Sequence, residues 1–236
     1  MSIPLYFISP IFPIDISPLI CYAKQRWLVV ANWDFTLTYL WINPVSERMI
    51  SAAALEKLLK KHDLTRVVCQ ESWGEIVLRK YLELLEHTEG TFADARCPAA
   101  ASLVHSLQPE IRIADIEPIL IHCARELAER PDLADGRKII TTPCRILADM
   151  GNKLELKDTH FVPWNRLLAA LGEPMEPAPD ASPIPPGFFK NLPFSVVSRS
   201  GRPAIESYVT GNDWKSAKLI ELLYCVQGCH RGDGVR

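Results

Sequence analysis

The sequence predicts an α/β protein in which βαβ units build parallel sheets flanked by helices. Three observations carry that expectation. Short β-rich apolar runs alternate with amphipathic stretches of helical period along most of the chain. Prolines stand at the joints between them, notably Pro98, Pro118 and Pro143. The 236 residues, 48% hydrophobic and 23% charged, have an ordinary globular composition and can bury a core as one domain or two closely packed lobes.

Residues 1–20 are apolar but hold Pro4, Pro10, Pro13 and Pro18 and lack a basic leader. No run approaches the ~18 uninterrupted apolar residues of a span, so neither a signal peptide nor a membrane helix is expected. Residues 1–25 read as an extended arm on the surface of the core. Trp27–Ala31 reads as a strand, and the aromatic stretch 32–45 as a second strand or a packed loop. Ser46–Lys61 reads as one helix, with Ile50, Ala54, Leu55, Leu58 and Leu59 inward and Lys57, Lys60 and Lys61 outward. Thr65–Cys69 then reads as a strand, Glu71–Gly74 as a turn and 75–87 as an amphipathic helix.

Pro98 suits the first turn of a helix over 99–107, because its missing N–H would be unsatisfied there anyway. That places Cys97 at a helix N-terminus, where backbone N–H groups stabilise a thiolate. A helix over 115–130 follows, bounded by Pro118 and Pro131. Lys138–Thr142 reads as a strand with Pro143–Cys144 at its carboxyl end, the end at which open α/β folds collect ligands. A helix is expected over 158–171, with Trp164, Leu167, Leu168 and Leu171 inward. The seven prolines of residues 173–193 impose a crossing loop. A strand near 194–198, a helix near 203–210 and the apolar run 217–224 lead into Cys225-Val-Gln-Gly-Cys229.

A net charge of −2 exerts no general pull on nucleic acid or anionic membrane. The seven cysteines, at 21, 69, 97, 123, 144, 225 and 229, are odd in number and dispersed. They fit a reduced cytoplasmic protein using thiolates as ligands better than a disulfide framework. The C-x3-C pair with an intervening glycine suggests a metal or iron–sulfur site, and Cys97 and Cys144 are candidates for the missing ligands. Buried core thiols and a four-cysteine zinc site are the alternatives. Cys21, Cys69 and Cys123 lie in apolar surroundings and read as core. Arg96, Arg145, His230 and Arg231 flank the candidate ligands, where cations would offset a negative cluster; solvated surface residues are the other reading. No dinucleotide, Walker or nucleophile-elbow motif occurs, His62, His87, His105 and His160 show no metal-like spacing, and His122, beside Cys123 on a helix, reads as structural.

Ala95-Arg-Cys97-Pro98, Pro143-Cys144-Arg-Ile-Leu147 and Glu221-Leu-Leu-Tyr-Cys225-Val-Gln-Gly228-Cys229 stand in order along the chain. They resemble the three cysteine signatures of the iron-only ([FeFe]) hydrogenase catalytic domain, T-S-C-C-P, P-C-x-x-K and E-x-x-x-C-x-x-G-C. Gln108-Pro109-Glu110 resembles the family's Tyr-Pro-Glu turn, and the likeness covers roughly residues 50–234. The resemblance implies two packed α/β lobes, roughly 26–135 and 136–236, with one [4Fe–4S] cluster between them on Cys97, Cys144, Cys225 and Cys229. Departures fall on the family's diiron chemistry. Arg96 replaces the proton-relay cysteine, Leu147 the lysine that holds a diiron ligand, Met150 a proton-path glutamate, and Thr142 the methionine before Pro-Cys. The expectation is therefore a cluster protein of electron transfer or redox sensing, a subunit of a larger redox complex, with a diiron subsite not expected. The alternative is a divergent hydrogenase. An iron–sulfur assembly scaffold is disfavoured, since only Cys21 lies upstream of residue 60.

Overall fold

The computed structural model describes residues 37–236, so the expected arm over 1–25, the strand over 27–31 and Cys21 lie outside the described residues. Two four-stranded sheets organise them, and every strand pair is parallel. The first contains β1 (Thr38–Trp41), β2 (Leu64–Arg66), β5 (Arg137–Thr142) and β6 (Thr159–Pro163), in the order β2-β1-β5-β6. The second contains β3 (Phe92–Ala93), β4 (Arg112–Ile113), β7 (Val196–Ser200) and β8 (Leu219–Leu223), in the order β4-β3-β8-β7. The α/β class with parallel sheets flanked by helices is thus observed. A boundary near residue 135 does not separate the sheets: each takes two strands from before it and two from after it.

Each sheet is covered on both faces. On one face of the first, α1 (Pro44–Arg48), α2 (Ala52–Lys61) and α7 (Trp164–Leu171) bury Val45, Leu55, Leu58, Trp164 and Leu167 against Leu40 and Ile139. On the other, α5 (Ile119–Glu129) and α6 (Arg145–Asn152) bury Ile121, Leu127, Leu147 and Ala148 against Ile140 and Phe161. In the second sheet, α4 (Pro98–Leu107) and α8 (Arg202–Thr210) pack Val104, Ile205 and Val209 on Ile220 and Leu222. Its opposite face meets α3 (Trp73–Glu86) through Val77, Tyr81 and Leu85, together with Phe189. Burial on both faces is why β5 and β8 are buried at every residue rather than alternating. Lys138 of β5 is tolerated there because its Nζ donates to the Leu133 and Gly136 carbonyls at 3.1 and 3.0 Å.

Two expected helices change shape. The segment 46–61 divides, because Ser51 Oγ accepts the Ala54 N–H at 3.2 Å and starts a second helix after α1 ends at its Met49 cap. The segment 158–171 begins as β6, whose Thr159, Phe161 and Pro163 are buried and alternate with half-buried His160 and Val162. Asn152 fixes that strand by bonding both the N–H and the carbonyl of Phe161 at 2.9 and 2.8 Å. Pro163 could not donate inside a continuous helix; here it caps α7 instead. The prolines of 173–193 lie in a stretch without helix or strand, as expected.

Candidate functional site

Three of the four candidate cysteines follow the carboxyl ends of strands, the end where parallel sheets present ligand groups. Cys97 comes shortly after β3 and caps α4, with Pro98 at the first helical position. Cys144 follows β5 and caps α6. Cys225 follows β8, the strand paired with β3. Cys229 opens a short 3-10 turn, Cys229–Arg231, beyond it. Cys97 packs on the core of the second sheet, whereas Cys144 and Cys229 pack on the two faces of the first. Residues distant in sequence are thereby drawn together from both sheets.

The connection from Cys225 to Cys229 depends on glycine. Gly228 has φ 126°, and a Cβ there would stand 2.5 Å from the Ile184 carbonyl oxygen and from Ser182 Oγ. Beyond Cys229 the chain folds back over the Pro143–Cys144 junction. Gly234 donates to the Pro143 carbonyl at 3.0 Å, and the Arg145 N–H donates to Asp233 Oδ1 at 2.9 Å. Asn165 Nδ2 donates to the Asp233 and Arg236 carbonyls at 2.9 and 2.7 Å, and Val235 is fully buried in the first sheet's core. The tail is thus a clamp that holds Cys229 beside Cys144.

Each of the four thiols lies within electrostatic reach of the other three. Burial is the main cause of their shifts: it raises Cys97, Cys225 and Cys229 and pushes Cys144 up to about 12. The Tyr224 N–H, 3.4 Å from Cys97 Sγ, partly opposes this. Among the described residues, no three histidine, cysteine or carboxylate side chains meet closely enough to hold a single metal ion.

The flanking cations have separate fates. Arg96 is buried and turned into an ion-pair network. Its Nε donates to both Asp94 oxygens at 3.1 and 3.0 Å, and its Nη2 to Asp94 Oδ2 and Glu221 Oε1, each at 2.8 Å. The guanidinium lies over the Phe188 and Phe189 rings at 4.2 and 4.4 Å. Tyr81 Oη donates to Asp94 at 3.1 Å, and Glu221 also accepts from the Gly187 and Phe188 N–H groups and Ser198 Oγ. Two buried carboxylates therefore face one guanidinium, although Arg96 still favours the charged form of Cys229. Arg145 is exposed and pairs with Asp233 at 3.4 Å. Arg231 is exposed and reaches Gln227 at 3.4 Å.

His230 is buried. Burial, with Arg231 and Arg236 nearby, holds its imidazole below the usual histidine range. The flanking set is thus not a shell of free positive charge. Asp94, Tyr81 and Asp233, which the sequence reading passed over, complete the surroundings. The only sequence signal for Asp94 was its place two residues before Arg96. Leu147 lies in the first sheet's core with Met150 packed against it, and Thr142 Oγ1 donates to the Cys144 carbonyl at 2.9 Å.

In fold the chain is similar to an apo [FeFe]-hydrogenase from Chlamydomonas reinhardtii, a variant with cysteine replaced by histidine. The TM-score is 0.58 at 11% sequence identity, over 91% of this chain and 84% of that one. No family model matches the sequence, and no curated protein matches it. The structure and this likeness establish a hydrogenase-like α/β fold. No described helix is long and apolar enough to cross a membrane.

Proposed function

We propose that this chain holds one [4Fe–4S] cluster on Cys97, Cys144, Cys225 and Cys229 and acts in electron transfer or redox sensing, without hydrogen turnover. The observation that carries the reading is the set of four thiols, each in electrostatic reach of the other three, drawn from both sheets. Four cysteine ligands are the complement such a cluster takes. A zinc ion takes the same four-cysteine set, so metal identity decides between the two readings. When bound, the cluster supplies one-electron chemistry. The chain's own part is to hold the four sulfurs, exclude water by burial and keep the sheets in register.

Arg96, Leu147 and Met150 support the absence of turnover. Arg96 is committed to Asp94 and Glu221, and the other two are packed on apolar core, so none is placed to relay a proton. In this reading the protein passes electrons to a redox partner as a subunit of a larger complex in the cytoplasm. The test is anaerobic reconstitution followed by metal analysis and low-temperature EPR. About four irons per chain are expected, with loss on Cys→Ser substitution at any of the four positions. Stoichiometric zinc without iron would refute the reading. Hydrogen evolution after maturation with a synthetic diiron cofactor would favour a divergent hydrogenase.

A further inference from the structure

The proline-rich stretch between α7 and β7 lies against the Cys225–Cys229 connection. A Cβ at Gly228 would meet Ser182 and the Ile184 carbonyl oxygen at 2.5 Å, so the stretch rests on the residue just before Cys229. Ala178, Ile184 and Cys229 all pack on the first sheet's core. Six prolines, at 174, 177, 179, 183, 185 and 186, stiffen residues 174–186 and remove their own N–H donors. Among the described residues, no backbone hydrogen bond joins 174–186 to another element, and every one of them is at least partly exposed.

The two ends are built differently from the middle. Gly172 caps α7 at φ 69°, with nothing within 4 Å of where a side chain would begin, and Gly187 has φ 103° with only Lys190 Cδ at 3.9 Å. Backbone rotation is therefore sterically open at both glycines. Just inside the first, Glu173 Oε1 accepts from Lys61 Nζ at 2.6 Å, and His62 Nε2 lies 2.6 Å from the same oxygen, which ties the stretch to the end of α2. At the second, the Gly187 and Phe188 N–H groups donate to the buried Glu221 carboxylate at 2.7 and 2.8 Å.

We propose that residues 173–186 are a flap that turns about Gly172 and Gly187, latched by Glu173 on Lys61 and His62, and that its opening gives access to Cys225 and Cys229. The buried Glu221 contact fixes the second hinge, whereas the Glu173 latch, made in part by a half-exposed Lys61, is the tether that releases. The proline-rich segment moves as one stiff body. Lifting it takes Ser182 and Ile184 off Gly228 without breaking a backbone hydrogen bond to another described element. Cys97 packs on the second sheet's core and keeps its cover throughout. A role for the flap in iron entry rests on the four-cysteine reading; the flap itself does not.

The test alkylates the reduced, metal-free full-length chain under native conditions and follows each cysteine peptide by mass spectrometry. Glu173→Gln should speed alkylation of Cys225 and Cys229 by about two- to fivefold, the range that loss of a surface ion pair allows. Cys97 and the buried Cys123 should keep their rates. Lys61→Met combined with His62→Gln should give the same acceleration, and adding Glu173→Gln to that pair should change little, because the latch is one interaction. Glu176→Gln, on an exposed flap residue, should leave every rate as it was. Unchanged Cys225 and Cys229 in the latch variants, or equal acceleration of all four peptides, would overturn the flap. Iron uptake on reconstitution separates the two readings: faster alkylation with no iron bound sustains the flap and refutes the cluster, and faster loading in step with faster alkylation supports both.

Discussion

Arg96 offers the sharpest test of how the site is held together. Asp94 and Glu221 stand next to each other across the β3–β8 ladder, where Asp94 N donates to the Ile220 carbonyl at 2.9 Å. Their side chains are 0% and 1% exposed, and the Arg96 side chain between them is 8% exposed. Replacing Arg96 with methionine keeps much of the aliphatic volume but leaves two buried carboxylates facing each other. Removing one partner of a buried pair costs about 3–5 kcal/mol. The guanidinium's contacts with Phe188 and Phe189 act in the same direction and overlap with that figure rather than adding to it. Against a typical total stability of about 5–15 kcal/mol this is a large fraction. The assay is urea unfolding of the metal-free chain. With a slope of about 1–3 kcal/mol per molar, the midpoint of Arg96→Met should fall by about 1 M or more. The control is Arg202→Met, which removes an exposed i,i+4 pair with Glu206 and should leave the midpoint nearly unchanged. The combination Asp94→Asn, Arg96→Met and Glu221→Gln should recover part of the loss, because no unpaired charge remains. An Arg96→Met midpoint equal to that of Arg202→Met would refute the ion-pair argument.

The remaining predictions concern the clamp and pH. A Cβ at Gly232 would lie 2.2 Å from the Pro143 carbonyl oxygen, and one at Gly234 would lie 2.8 Å from the Cys144 nitrogen. Gly232→Ala and Gly234→Ala should therefore lower iron uptake on reconstitution. Gly74→Ala, on α3 with open space for a methyl group, should load normally; equal loading in all three would dismiss the clamp. His230 resists protonation in the folded chain because it is buried beside Arg231 and Arg236, whereas the unfolded chain takes up that proton near pH 6.5. The unfolded state then binds more protons below that pH, so this contribution to stability is complete above about pH 6.5 and declines as pH falls toward the lower folded value. His122 acts in the same sense, chiefly through its burial and then Lys80. His230→Gln should flatten the dependence of the urea midpoint between about pH 5 and 7, and an unchanged slope would remove His230 from that account.

Local patterning made much of the fold legible before any coordinates. Pro98, Pro131 and the proline-rich stretch 173–193 marked boundaries that the structure keeps, because proline's missing donor acts within a turn or two of itself. β6 was hidden because Thr159–Pro163 runs directly into the apolar face of α7, and a short apolar run does not distinguish strand from helix. Strand order was hidden for a different reason. Nothing local says that β1 pairs with β5 or that β3 pairs with β8, so a division at residue 135 looked natural although both sheets cross it. The same limit applies to charge. Arg96 reads as a cation beside a cysteine, and only the β3–β8 pairing reveals the two carboxylates that claim it.

This arrangement constrains how a cluster could be acquired. Cys97 belongs to the β3–α4 junction of one sheet, Cys144 to the β5–α6 junction of the other, and Cys225 follows the strand beside β3. Cys229 reaches Cys144 only because the tail is bonded over Pro143. The four thiols therefore stand together only when both sheets and the tail are formed, so the cluster binding we propose would draw on the folding free energy of the whole described unit. Burial also raises the Cys144 and Cys229 thiols above the usual range, so ligation would have to displace their protons as the metal arrives. An open tail that closes after the cluster enters would relieve the burial. A closed apo site would resist loading until the tail opened. Hydrogen exchange of the Gly234 N–H, bonded to Pro143, distinguishes the two: rapid exchange in the apo chain and protection after reconstitution support entry past the tail, whereas equal protection in both states excludes it.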